Sequence, residues 1–228
     1  AGLVKEDVIE WVSSMTYQAA SGGGARHMKE LVKQMAEIGN VGERLPEGLQ
    51  SDILALDEKV TASMRSPEFP VEMFGVPLAG SLIPWLDSAV KNGQSREEWK
   101  AYHEANKILH RHDHPFPIDG TCVRVGAMRS HAQALTVKLK KNVPLDEIEQ
   151  MLKEGNDWVR FVPNNPEASK EALSPSSVSG TMEIPVGRAR KMMMGDEFLN
   201  LFTVGDQLLW GAAEPLRRML TLVNEFER

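Results

Sequence analysis

Residues 121–141 read TCVRVGAMRSHAQALTVKLKK, two alternating apolar runs separated by a break. Residues 122–125 and 131–139 each alternate as half-buried strands do, and residues 126–130 carry the turn between them. With a period of two, His131, Gln133, Leu135, Val137 and Leu139 share one face of the second strand, while Thr136, Lys138 and Lys140 take the other. His131 therefore heads the face that the apolar residues mark for cover. Arg124 lies between Val123 and Val125, so its guanidinium leaves the opposite side of an apolar strand and needs an anion or a wet cleft there. Taken alone, the stretch is explained more simply by an arginine in a structural ion pair and a histidine satisfied in the core. Other stretches have to decide between the readings.

On the amino-terminal side, residues 8–17 are rich in β-formers and read as a strand that runs into Gln18-Ala-Ala-Ser-Gly-Gly-Gly. A helix follows, with Ala25, Met28, Leu31, Val32, Met35 and Ile38 on one side. The glycines thus stand at a strand-to-helix junction, where free backbone N–H groups and absent Cβ atoms let an anionic ligand come close. The pattern is neither GxGxxG nor a P-loop, and a plain flexible turn explains it as well. Residues 39–48 read as loop, and Ile53, Leu56, Val60 and Met64 mark a second amphipathic helix. Pro67, Pro70, Pro77 and Pro84 then interrupt an apolar segment that includes Phe69, Phe74, Leu78, Leu82, Ile83 and Trp85. Such a segment must be covered, either by its own core or by another subunit.

Ser95 is a helix N-cap with Glu98 at the capping-box position, and Glu97, Lys100, Glu104 and Lys107 follow as an alternating-charge stripe. A stripe of this kind is most often a solvated face; Glu97 differs in lying in the first turn, where the helix dipole favours a carboxylate. His110, His112, Asp113 and His114 could chelate a metal, but no cysteine and no fixed partner supports that reading.

Beyond the central strands, residues 145–153 read as a short helix, 159–162 as a strand and 164–177 as a polar loop. Residues 181–193 and 198–204 read as two strands around the Gly195-Asp196 turn. From Gly205 the chain turns helical, with Leu209, Ala212, Ala213, Leu216, Met219, Leu220 and Val223 on a broad apolar face, and Pro215 kinks or splits that helix. The order of elements predicts an α+β fold, a mixed β-sheet covered by helices on one side.

With 228 residues and 42% apolar content the chain can bury a real core. A net charge of −6 and a pI near 5.6, with few and scattered aromatics, exclude a basic nucleic-acid stripe. One cysteine excludes an internal disulfide. No run reaches the length of a membrane span, and AGLVKEDVIEW lacks the layout of a signal peptide, so the expected location is cytoplasmic, without nucleic-acid or membrane partners. The chain begins with Ala and runs almost at once into a strand, which fits a piece of a longer protein.

Five motifs, in order and nearly end to end, carry a resemblance: Tyr17-Gln-Ala-Ala-Ser-Gly-Gly-Gly-Ala-Arg-His-Met, Phe74-Gly-Val-Pro-Leu-Ala-Gly-Ser-Leu-Ile-Pro, Asn92-Gly-Gln-Ser-Arg-Glu-Glu-Trp-Lys, Cys122-Val-Arg-Val-Gly-Ala, and Thr203-Val-Gly-Asp-Gln-Leu-Leu-Trp-Gly-Ala-Ala-Glu-Pro-Leu-Arg-Arg-Met-Leu. Together they resemble the later part of bacterial aspartate-semialdehyde dehydrogenase. That resemblance implies a domain like the carboxy-terminal one of glyceraldehyde-3-phosphate dehydrogenase. It also implies NADP-dependent reduction of aspartyl phosphate to aspartate semialdehyde with loss of phosphate, in lysine, threonine and methionine biosynthesis. On matching positions, His131 is implied as general acid/base and Gln18 as the residue that orients substrate near the thioester. Arg124 is implied to grip the substrate α-carboxylate, Glu97 the α-amino group and Lys100 the phosphate. Ser21, Gly22 and Gln207 are implied to lie near NADP, and Leu49 stands where some relatives have a proline beside it.

The family's NADP-binding domain and its nucleophilic cysteine, in a Gly-Asn-Cys-Thr setting, are expected ahead of Ala1; Cys122 lacks that setting. The resemblance further implies a homodimer, a substrate and dimerisation domain over residues 1–204, and a tail, 205–228, that belongs against the nucleotide-binding domain. Without that domain the chain is expected to be inactive and the tail to fray or to dock on a neighbouring chain. Two other functions stay open: a non-catalytic assembly module, and N-acetylglutamyl-phosphate reductase, which shares the chemistry but is not expected to show REEWK or GDQLLWGAAEP.

Overall fold

Alternation of small β-formers and apolar residues produces seven strands: β1 (Ile9–Gln18), β2 (Leu82–Ile83), β3 (Ile118–Val125), β4 (Ser130–Leu139), β5 (Val159–Phe161), β6 (Ile184–Met192) and β7 (Gly195–Asp206). In the computed structural model, which describes residues 2–43 and 52–226, they form one mixed sheet in the order β2-β3-β1-β4-β7-β6-β5. β1 pairs with β3 in parallel and with β4 antiparallel, β7 is antiparallel to β4 and β6, and β5 is parallel to β6. This register brings the carboxy-terminal ends of β1, β3 and β7 and the start of β4 to one end of the sheet.

One face carries Val12, Leu135, Val137, Leu199 and Leu201, and it packs on Leu3 of α1 (Gly2–Lys5), on Ile148 of α5 (Leu145–Glu154) and on Phe116. The same face lies under α4 (Arg96–Ile108), where a cleft of about 530 Å³ remains between Ala101 and Ala105 of the helix and Ser14, Thr16 and Gln133 of the sheet. The second face is more open: Met15 and Tyr17 are over a third exposed, Trp11 meets Phe198 edge-on, and Tyr17 lies against Phe202.

The mixed sheet with its helical layer is the predicted architecture, and four details differ. A four-residue helix precedes the first strand, because Gly2 lets the backbone sit against Met151 and Gly155 of the α5 end; a Cβ on Gly2 would stand 1.8 Å from the Met151 carbonyl oxygen. The helix α2 (Ala25–Glu43) runs through Gly39 and Gly42, residues read as loop, since propagation past a glycine costs only about 1 kcal/mol; α3 (Ile53–Met64) follows beside it. The remainder of that loop, and Leu49, lie outside the described residues.

The polar stretch 164–177 holds two short helices, α6 (Pro166–Ala172) and α7 (Pro175–Val178), each capped by the preceding Asn165 or Ser174 side chain and opened by proline. They reach the second sheet face beside Phe202, Val204 and Ala132. Finally, β7 extends to Asp206, and the helix that follows begins as a π turn, Leu209–Ala213, before α8 (Glu214–Phe226). The π turn sits immediately before Pro215, where an N–H donor is missing and a break was expected.

The proline-interrupted segment is held by two polar residues one helical turn apart on α2. The Glu30 carboxylate accepts the N–H groups of Met73 and Phe74 at 2.7 and 3.0 Å. Gln34 accepts those of Leu78 and Ala79 at 2.8 and 2.9 Å and donates to the Pro70 carbonyl at 2.7 Å. Irregular backbone thus finds partners that a helix or sheet would have supplied, and Leu78 and Ala79 become core. Trp85, Leu82 and Val76 of the same segment stay exposed.

Candidate active site

Arg124 and His131 meet at the end of β1 because of strand register. Gln18 is opposite Arg124 in the β1/β3 pair, and Tyr17 is opposite Ala132 in the β1/β4 pair, which leaves Gln18 beside His131 on the covered face. The next residue, the fully buried Ala19, ties both ionisable groups to main chain: its N–H donates to His131 Nδ1 at 3.0 Å, and its carbonyl accepts from Arg124 Nη1 at 2.8 Å. Burial and the neighbouring Arg124 cation lower the His131 pKa to about 4, against opposing fields from Glu97 and Asp206. Burial also pulls the Arg124 guanidinium below its usual range, with Glu97 opposing it; it remains a cation at neutral pH.

The Gly-rich turn closes over this pair. Ala20 to Gly23 form one 3-10 turn, and Ala20 and Ser21 donate their N–H groups to the carbonyls of Ala127 and Met128. A Cβ on Gly22 would lie 2.6 Å from Arg124 Nη1 and 3.6 Å from His131 Nε2, so only glycine leaves those two groups accessible from this side. Ser21 Oγ donates to Gln207 Oε1 at 2.8 Å, and both Ser21 Oγ and the Gln207 N–H reach the Arg129 carbonyl.

Glu97 and Lys100 enter from α4. The Ser95 capping box is formed, and Glu98 does more than complete it: one carboxylate oxygen accepts the Ser95 N–H at 2.7 Å, and the other accepts the Cys122 N–H of β3 at 3.1 Å. That second bond fixes the start of α4 two residues from Arg124. Lys100 Nζ pairs with Glu97 at 2.5 Å, and the carboxylate holds the ammonium above its usual range. Every predicted site residue among Gln18, Ser21, Gly22, Glu97, Lys100, Arg124, His131 and Gln207 therefore falls at one end of the sheet.

Three contributors carried no reading as site residues from sequence. Ala19 acts through main-chain atoms, which leave no residue-type signal. Glu98 gave only its local one. The third is the buried Asp206, which pairs with Arg129 at 2.7 Å, accepts the Gly180 N–H at 2.6 Å and caps the helix start through the N–H groups of Leu208 and Leu209. An Asp two residues ahead of an apolar helical pattern is a readable cap. Its carboxyl is held below the ordinary value: burial works to raise it, and the Gly180 N–H, Arg129 and the Leu209 N–H outweigh burial.

Cys122, the single cysteine, is buried, and desolvation raises its thiol above the usual range, the reverse of what a nucleophilic thiolate needs. The His110 to His114 run gathers no cluster: among the described residues no group of three or more His, Cys, Asp or Glu is placed to hold a metal ion. Nor, among them, is any helix long and apolar enough to cross a membrane.

Known structures share this arrangement of elements. Aspartate semialdehyde dehydrogenase from Francisella tularensis superimposes with a TM-score of 0.91 at 44% identity, over 98% of this chain and 60% of that one. Aspartate semialdehyde dehydrogenase II from Vibrio cholerae, complexed with ASA, gives 0.75 at 24% identity over 98% of this chain and 58% of that one. The Candida albicans enzyme, solved with NADP, gives 0.52 at 15% identity over 93% and 49%, a likeness of fold alone. The chain thus spans about three fifths of the length of the first of these. The family model described as "semialdehyde dehydrogenase, dimerisation domain" matches residues 1–210, and with its sheet, its strand-end site and that match the chain belongs to the semialdehyde dehydrogenase dimerisation-domain family.

Proposed function

We propose that this chain is the substrate-binding and dimerisation part of an NADP-dependent aspartate-semialdehyde dehydrogenase, which converts aspartyl phosphate to aspartate semialdehyde and phosphate. The observation that carries the reading is the convergence of Arg124 and His131 on the Ala19 to Gly22 turn, with Glu97, paired to Lys100, close enough for its field to act on both. An amino-acid acyl phosphate offers three charged groups, and this end of the sheet offers a matching charge for each.

Arg124 keeps N–H donors beyond the one given to Ala19 and takes the α-carboxylate with its fork. Glu97 takes the α-amino group, and its hold on Lys100 keeps that ammonium charged for the phosphate. Gln18 orients the acyl group, and His131 serves the reacting carbonyl. Gly22, whose missing side chain leaves a cradle beside Arg124 and His131, fits the close approach of a planar ring, with Ser21 and Gln207 at its flank. NADP, when bound there, supplies the hydride. The nucleophile is supplied from outside these 228 residues, since Cys122 is buried and its thiol pKa is raised.

Residues 1–204 form the substrate and dimer domain in this reading, and 205–228 a tail that packs on the nucleotide-binding domain. The open sheet face and the exposed part of the proline-interrupted segment meet a second copy, giving a homodimer in the cytoplasm. The test is NADPH formation from aspartate semialdehyde, phosphate and NADP. The chain alone is expected to be inactive and to gain activity when joined behind the amino-terminal half of a family member. Turnover by the chain alone, above a His131→Ala control, overturns the division of labour.

A further inference from the structure

We propose that Asp206 is a positioning residue: its carboxylate fixes the peptide of Gln207 and the guanidinium of Arg129, and through them holds the Gln207 amide on Ser21 beside Gly22. This rests on the function proposed above, in which Ser21 and Gln207 flank the dinucleotide, and it adds Asp206 and Gly211 as residues that act there through Gln207.

Asp206 ends β7 opposite Ser130 of β4, and it is fully buried. Its oxygens meet donors from three parts of the chain. Oδ2 accepts from Arg129 Nη2 in the β3–β4 turn at 2.7 Å and from the Gly180 N–H beyond α7 at 2.6 Å; Oδ1 accepts the N–H groups of Leu208 and Leu209 at 2.9 and 3.3 Å. Gln207 is thereby held between two anchored residues. Its own N–H donates to the Arg129 carbonyl at 3.1 Å, so Arg129 is bound at both ends, by its guanidinium to Asp206 and by its main chain to Gln207. This closed circuit sets where the Gln207 side chain starts, and the side chain reaches Ser21 Oγ at 2.8 Å, which also lies 3.3 Å from the Arg129 carbonyl.

The far end of the amide is set by the π turn. Oε1 meets Ser21, while Nε2 faces Gly211, where a Cβ would stand 3.2 Å from Nε2 and 3.6 Å from Gln207 Cγ. The π turn, a feature common at functional sites, thus places a residue without a side chain against the Gln207 amide. Two substitutions separate positioning from folding. Asparagine at 206 keeps the shape but replaces one oxygen by a donor, which sets donor against donor on whichever side it turns and removes the charge that Arg129 pairs with. Alanine at 211 leaves that circuit intact. Gly211 has no positive φ, alanine is the better helix former, and only the flexible end of Gln207 has to give way, so this variant disturbs the amide while favouring the fold.

The test has two arms. In the 15N-labelled 228-residue chain, Asp206→Asn should shift the amide signals of Ser21 and Gln207 and speed their hydrogen exchange by about tenfold or more, with the amides at the centre of β1 unmoved. Gly211→Ala should shift the Gln207 side-chain NH2 signal without lowering the melting temperature. Unmoved Ser21 and Gln207 signals in Asp206→Asn overturn the proposal; if that variant does not fold, an unmoved Gln207 side-chain signal in Gly211→Ala does so. In the holoenzyme reconstituted with the family's amino-terminal half, KM for NADP should rise about tenfold in Asp206→Asn and about threefold in Gly211→Ala, with kcat within about threefold and KM for aspartate semialdehyde within about twofold. Asn106→Ala, which removes a buried clamp between the end of α4 and Phe116, should lose stability without that split. Equal rises in both KM values, or the same split in Asn106→Ala, assign Asp206 to the fold alone and overturn the proposal. An unsubstituted holoenzyme with no NADP-dependent turnover overturns the proposed function instead, and the first arm still decides whether Asp206 holds Ser21 and Gln207 together.

Discussion

The strand-end site and the carboxy-terminal helix are built from equally regular sequence, yet they stand at opposite extremes of completeness. At the site, Arg124, His131, Ser21, Gln207 and Glu98 each have a named partner within the chain. On α8, Leu216, Met219, Leu220, Leu222 and Phe226 are all more than 60% exposed, and the helix meets the rest of the chain near its start, where Arg218, paired within the helix to Glu214, lies over Trp158 and Trp210. A polar constellation can be satisfied locally, because a hydrogen bond needs one partner. An apolar stripe needs an area, and about 25 cal/mol is forgone for every Å² left wet.

The sharpest way to test the self-sufficiency of the site is Arg124→Lys. A point charge cannot reproduce a two-pronged contact while also holding the Ala19 carbonyl, and kcat/KM of the reconstituted enzyme should fall by about 2–4 kcal/mol of transition-state binding. Near-normal kinetics would make Arg124 structural.

Next in size is a pH effect on stability. The folded His131 pKa of about 4 lies below the ordinary value of 6.5, so the unfolded chain binds more protons between the two. Stability from this group is fully present above about pH 6.5 and is lost as pH falls towards 4, by at most about 3 kcal/mol. Urea titrations at a series of pH values should show that slope, and His131→Gln should flatten it; a parallel slope in the variant would assign it to other groups.

Glu98→Ala removes one acceptor shared by two buried N–H groups, and should destabilise the fold by about 2 kcal/mol in the same titrations. A loss within about 0.5 kcal/mol would mean that water replaces the carboxylate.

The tail should respond least. Leu216→Ser with Leu220→Ser should change stability by no more than about 0.5 kcal/mol, because neither side chain is buried. Amides of α8 should exchange faster than those of β1 and β4. Strong protection of α8 in a demonstrably monomeric sample would show that the helix is covered within its own chain.

What could be read in advance divides along the same line. Strands β1, β3 and β4, the capping box at Ser95 and the placement of Arg124 and His131 all follow from periodicity of two or from a cap, signals that lie within ten residues. The convergence of these residues into one site depends on β1 lying between β3 and β4, a pairing of segments over a hundred residues apart, and only the resemblance carried that information. The Asn-Pro and Ser-Pro caps of α6 and α7 were legible signals masked by a polar, proline-containing composition. Glu30 and Gln34 resembled ordinary solvent-side residues of α2, because nothing local shows that irregular backbone will lie across them.

The shared carboxylate of Glu98 has a consequence for selectivity. It binds the start of α4 to β3 at Cys122, so the helix that presents Lys100 and the strand that presents Arg124 cannot slide independently. If the two cations hold the opposite ends of one substrate, the gap between them is a gauge of molecular length set by a single side chain. A homologue longer by one methylene would have to buckle to fit between fixed jaws, and loosening Glu98 would widen the range of acids accepted before it abolished their recognition.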